Sequence, residues 1–218
     1  MVVSAAIPNR PSSPRMRREP VVANSVLAML IFVATEVMFF GGIISAYIIG
    51  KSGAVGGWPP AGQPRLPIEV TGFNSMGLVA SGIFLWLSGR AFDRRTRTGG
   101  LEASSLRQTK WFLRFALGLG ALFVLVQGSE WAQLIAQGMT LTFSTHAAFF
   151  YLIVGTHALH AIISLCVLIW VWRRITRADV GSGLSSSDSI SKAAFTSSRI
   201  FWYFVVGVWP VLYAFVYL

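Results

Sequence analysis

Five stretches of this chain, at about residues 22–49, 70–92, 111–136, 145–172 and 198–218, are apolar. Each reaches the roughly 20 residues that an α-helix needs to cross the ~30 Å hydrocarbon layer of a membrane. Within that layer every backbone N–H and C=O must be satisfied inside the protein, so segments of this length span as helices. The expected fold class is all-α, a polytopic membrane bundle of five transmembrane helices over residues 21–218. Residues 1–20, with Arg10, Arg15, Arg17 and Arg18 among several prolines, read as a flexible basic tail. The tail is Arg-rich like a transit peptide but lacks the apolar core of a secretory signal.

Composition narrows the function. The chain is 54% hydrophobic and 12% charged, with a mean hydropathy of +0.63, whereas soluble domains carry about 25% charged residues. Its net charge of +10 raises the question of nucleic acid. The basic residues fall between apolar segments, however, and are not interleaved with aromatics along one face, so no nucleic-acid partner is expected. Cys166 is the single cysteine, which excludes an internal disulfide framework and a cysteine metal site.

Lys and Arg also orient the bundle. If the five spans alternate, only Lys51 and Arg65 of the 18 Lys and Arg residues fall on one side. The positive-inside tendency then puts the N-terminus in the cytoplasm and the C-terminus in the periplasm. Tryptophans near span ends, including Trp58, Trp86, Trp111, Trp131, Trp170, Trp172 and Trp202, read as interfacial anchors.

Ionisable groups inside spans are costly and so are candidates for function. Glu36 lies near the middle of the first span, and His157 and His160 lie near the middle of the fourth, three residues apart on one helical face. A contact between Glu36 and one of these histidines is therefore possible. Glu130 lies toward the outer end of the third span, where Gln127 one turn earlier or His146 offers a partner. Glu36, Gln127, Glu130, His146, His157 and His160 thus form a candidate intramembrane polar network. Interhelical hydrogen bonding, proton handling centred on Glu36, and a metal site all fit these residue types. The Glu-x-x-His pairs of di-iron bundles are missing, which disfavours the metal site. Gly41, Gly42, Gly72, Gly77, Gly82, Gly118 and Gly120 are expected to let helices approach closely.

The chain resembles subunit III of the haem-copper respiratory oxidases, the cytochrome c oxidase subunit III family. The resemblance runs from about residue 21 through Thr35-Glu36-Val37-Met38-Phe39-Phe40, Trp58-Pro59-Pro60 and Pro67-Ile68-Glu69-Val70 with Asn74 and Ser81-Gly82. It continues through Gln127-Gly128-Ser129-Glu130-Trp131 and Gly155-Thr156-His157-Ala158-Leu159-His160 to Trp209, Leu212-Tyr213 and Val216-Tyr217. Longer members have seven spans, and this chain resembles the shorter five-span bacterial form.

The resemblance implies a non-catalytic accessory subunit of a terminal oxidase in a bacterial inner membrane. It implies no catalytic residues, metal or cofactor in this chain, with haem and copper held by the partner catalytic subunit I and with subunit II as a further partner. The implied roles are phospholipid binding, oxygen access and sustained proton uptake. Glu36 matches the family's carbodiimide-reactive carboxylate. Arg174 matches a residue that contacts a lipid headgroup, and Arg173 and Trp58 join it as lipid-binding candidates.

One departure stands out. Family members commonly carry a His and an Asp where the last span here has Tyr203 and Val206. That divergence leaves open a related subunit of a nitric oxide reductase or a respiratory supercomplex. A proton-coupled transporter is the alternative from a different class, although the inverted repeats common in transporters are missing.

Overall fold

The computed structural model describes residues 23–54, 57–97, 103–178 and 187–218. Its elements are five α-helices: α1 (Asn24–Ser52), α2 (Ile68–Arg97), α3 (Ala103–Ala136), α4 (Thr145–Ala178) and α5 (Ser187–Tyr217). All five are long and apolar enough to cross a membrane. The basic tail expected over residues 1–20 lies outside the described residues.

At 1.5 Å per residue the helices are about 44–51 Å long, well beyond the ~30 Å apolar layer. They overrun the hydropathy-defined spans most at their basic ends. Accordingly, α2 continues through Arg90 to Arg97 and α4 through Arg173 to Arg177, where the sequence suggests loops. Hydropathy marks only the part in hydrocarbon, whereas helical hydrogen bonding continues into the interface, where charged side chains are solvated.

The α3–α4 turn is set locally. Gly138 takes a left-handed φ of 87°, the Met139 amide donates to Leu134 O, and the Gly138 amide donates to Ile135 O, which closes the end of α3. Ser144 Oγ then accepts from the Ala147 amide at 3.0 Å and caps α4.

The most extensive packing is between α2 and α3, followed by α4 on α5, and α5 also touches α1 and α2. Small polar side chains on α2 stitch the first of these pairs. Asn74 Nδ2 donates to Phe123 O at 3.1 Å, Ser81 Oγ to Ala116 O at 3.0 Å, and Ser88 Oγ to Thr109 O at 3.0 Å. Helix α5 adds two indoles seven residues apart: Trp202 Nε1 donates to Ser81 Oγ at 2.9 Å and Trp209 Nε1 to Ser75 Oγ at 2.7 Å. Both tryptophans are fully buried. Trp202 is therefore a core residue and not an interfacial anchor, because its indole N–H finds a partner inside the bundle.

The glycines divide. A Cβ at Gly72 would sit 3.2 Å from Tyr213 Oη, one at Gly82 would sit 3.2 Å from Val206 Cγ1, and one at Gly120 would enter the Trp202 ring. These three mark close helix approaches. Gly41, Gly42, Gly77 and Gly118 have open space instead. Pro210 lies inside α5, which continues past it to Tyr217.

Candidate functional site

Glu36 and His160 meet at the α1–α4 contact. Glu36 Oε2 lies 3.1 Å from His160 Nε2, close enough for ion pairing though not aligned as a hydrogen bond. His160 Nδ1 lies 2.7 Å from Thr156 O one turn earlier on α4. A carbonyl only accepts, so Nδ1 carries a hydrogen, and Nε2 faces the carboxyl. The side chains of His160 and Glu36 retain 12% and 17% exposure, while Glu36 Oε2 itself is buried. Phe40, Phe201 and Phe204 surround the imidazole edge-on.

His157, one turn away, does not join them. It is buried against Trp209, with ring centroids 4.9 Å apart, and its Nε2 has no hydrogen-bond partner.

A second carboxyl lies inside the bundle. Glu130 Oε2 accepts from Thr71 Oγ1 and from Gln127 Nε2, both at 2.8 Å, and Gln127 Nε2 also lies 3.1 Å from Tyr217 Oη. Glu130, Gln127, Thr71 and Tyr217 are all buried. This cluster ties α2, α3 and α5 together. His146 is not part of it.

Instead, His146 Nδ1 makes a short hydrogen bond with Gln63 Nε2. Ser144 Oγ donates to Gln63 Oε1 at 3.0 Å, and Trp58 Nε1 donates to Tyr47 Oη at 3.2 Å. Trp58 packs edge-on against His146 and Tyr47. Gln63 thus fastens the α1–α2 loop to the start of α4, and the half-buried Trp58 uses its polar atom inward. Replacing Gln63 with Ala should cost about 1 kcal/mol of stability and speed proteolysis within residues 57–67. An unchanged cleavage rate would contradict this fastening role.

Arg173 and Arg174 are exposed at the end of α4, and the Arg174 guanidinium lies 4.8 Å from the centroid of Trp170. Gln63, Thr71 and Tyr217 escape a reading of span-centred charges because they are uncharged or lie at span ends. The recurring hydroxyl and amide residues on α2 were the available signal. Tyr203 Oη is buried without a hydrogen-bond partner, and Val206 packs on Gly82. Among the described residues no three His, Cys, Asp or Glu side chains converge in a way that could hold a metal ion.

Fold and site together define a multi-pass helical membrane protein whose intramembrane carboxyls are answered by its own histidine, amide and hydroxyl groups. The profile of the family "Cytochrome c oxidase subunit III" matches residues 17–218. "Cytochrome c oxidase subunit 3" of Synechocystis sp. is 31% identical over 194 residues, covering 88% of this chain and 75% of that protein. The "Probable cytochrome c oxidase subunit 3" of Mycobacterium leprae and that of Nocardia farcinica are each 28% identical, covering 86% of this chain and 84% of the relative. The chain belongs to the cytochrome c oxidase subunit III family and is a respiratory oxidase subunit.

Proposed function

We propose that the chain is a non-catalytic accessory subunit of a haem-copper terminal oxidase in a bacterial inner membrane. It sits beside the catalytic subunit I, which carries haem and copper, and near subunit II. The N-terminus is cytoplasmic and the C-terminus periplasmic, a direction supported by the crowding of Lys and Arg at one end of the bundle. Glu36 handles protons for the neighbouring subunit, while Arg173, Arg174 and Trp58 meet phospholipid and the subunit sustains oxygen access.

The observation that carries this reading is the contact of Glu36 with His160, whose side chains both keep partial exposure where α1 meets α4. A carboxyl needed only for helix packing would be enclosed as Glu130 is. Exchange with a path in another chain instead needs a group that the other chain can reach.

Two measurements test the proposal. The chain should copurify with a haem-bearing partner in mild detergent, and purification alone would count heavily against it. Glu36→Gln keeps the size and polarity of the side chain but removes its ionisable proton. The variant should assemble normally and inactivate at a different rate during turnover. Wild-type inactivation kinetics in an assembled variant would leave Glu36 a hydrogen-bonding role only.

A further inference from the structure

The fastening of residues 57–67 to the start of α4 depends on where one imidazole keeps its proton. His146 is buried there, with Nδ1 against Nε2 of Gln63. Ser144 sets the orientation of that amide. Its Oγ accepts from the Ala147 amide as the cap of α4 and donates its own hydrogen to Gln63 Oε1 at 3.0 Å. Gln63 therefore turns its NH2 group toward His146. An amide nitrogen only donates, so Nδ1 is the acceptor and carries no hydrogen.

A second proton on the ring changes this contact. In imidazolium both nitrogens are donors, which sets Nδ1–H against the Gln63 NH2. Turning the amide over to offer Oε1 instead would take the acceptor away from Ser144 Oγ. Either way the loop loses a hydrogen bond to α4. Trp58 depends on the same ring: the two ring centroids lie 5.1 Å apart. From α1 the titratable groups that face the imidazole are the Tyr47 phenol, edge-on to it, and the Lys51 ammonium, which bears on it electrostatically. From the loop it meets Trp58 and Gln63, neither of which titrates.

We propose that His146 is a pH-sensitive latch on the α1–α2 loop. With Nδ1 bare it fastens residues 57–67 to α4, and protonation releases them, so the loop is held at high pH and freed as the pH falls. In the direction proposed above, this end of the bundle faces the periplasm, the side that proton-pumping respiration acidifies. The latch itself depends neither on that direction nor on any proton role for Glu36.

The test is limited proteolysis within residues 57–67 of the full chain in lipid nanodiscs, with Gln63→Ala cleaved in parallel so that the protease's own pH dependence cancels. At about pH 7.5 the unsubstituted chain should be cut about fivefold more slowly than Gln63→Ala, the factor for one lost hydrogen bond, and the two rates should converge by about pH 4.5. His146→Asn keeps an acceptor near the place of Nδ1 but does not titrate, so its slower cleavage should persist at both pH values. Equal rates for the unsubstituted chain and Gln63→Ala at the higher pH overturn the proposal, as do rates that stay apart at the lower pH. Convergence that His146→Asn shares overturns it too. Should His146→Asn fail to insert, Lys51→Gln decides. Removing the ammonium beside the imidazole should raise the pH of release, and an unmoved midpoint overturns the proposal.

Discussion

Trp202→Ala is expected to cost the bundle about 3 kcal/mol, near the low end for removing a buried tryptophan. The low end applies because helices in lipid gain little from hydrophobic transfer, so the loss is chiefly packing and a cavity. Trp202 is fully buried and joins several helices at one point. Its Nε1 donates to Ser81 on α2, Ser81 donates in turn to the α3 carbonyl of Ala116, and the outer ring edge rests on Gly120 beside Leu165 of α4. Truncation opens this junction and removes the donor to Ser81.

The same contact can be attacked from the other side. A Cβ at Gly120 would lie 2.7 Å from Trp202 Cη2 and Cζ2 and 3.0 Å from Leu165 Cδ2, so Gly120→Ala should cost about 1–3 kcal/mol through overpacking. Adding Trp202→Phe removes the ring atoms that clash and should recover part of that loss, a non-additivity expected of residues in contact. Unfolding midpoints in one detergent read all three variants. A Trp202→Ala loss below about 0.5 kcal/mol, typical of surface substitutions, would show that the junction is not a main support.

Glu130→Ala has the second largest expected effect, about 1–3 kcal/mol, the usual cost of leaving buried polar groups unsatisfied. Thr71 Oγ1 and Gln127 Nε2 both lose their acceptor on Oε2. Thr71 retains Pro67 O at 2.9 Å and Gln127 retains Tyr217 Oη, which keeps the cost within this range. Glu130→Gln preserves one acceptor oxygen and should lose less. Equal destabilisation by Ala and Gln would assign the effect to charge or protonation and not to the accepted hydrogen bonds. Glu36→Gln, at the bundle edge, should leave the unfolding midpoint nearly unchanged.

The five helices were legible because their apolar length has no other solution in lipid. Glu36 opposite His160, and Glu130 beside Gln127, were legible because depth follows from rise per residue and neighbours lie three or four residues apart. Helix ends were not, since hydropathy falls where Arg94 and Arg177 reach water although the backbone stays helical. The inward use of Trp202 was also hidden. An indole near a span end reads as an anchor unless its partner, Ser81, 121 residues away, is known. The link from His146 to Gln63 escaped for the same reason, because the glutamine lies in a loop that only tertiary packing brings to α4.

The contacts of α1 carry a consequence for the order in which the bundle is made. Among the described residues this helix packs on α4 and α5 and not on α2 or α3. Helices α2 and α3 are neighbours in sequence and can pair as soon as both have left the ribosome. By contrast, α1 ends at Ser52 and its first partner begins at Thr145. At 5–20 residues per second, α1 waits about 5–20 s in the membrane before α4, which carries His160, can reach Glu36. For that interval the carboxyl stands in lipid without His160, so α1 is secured only after α2 and α3 have paired.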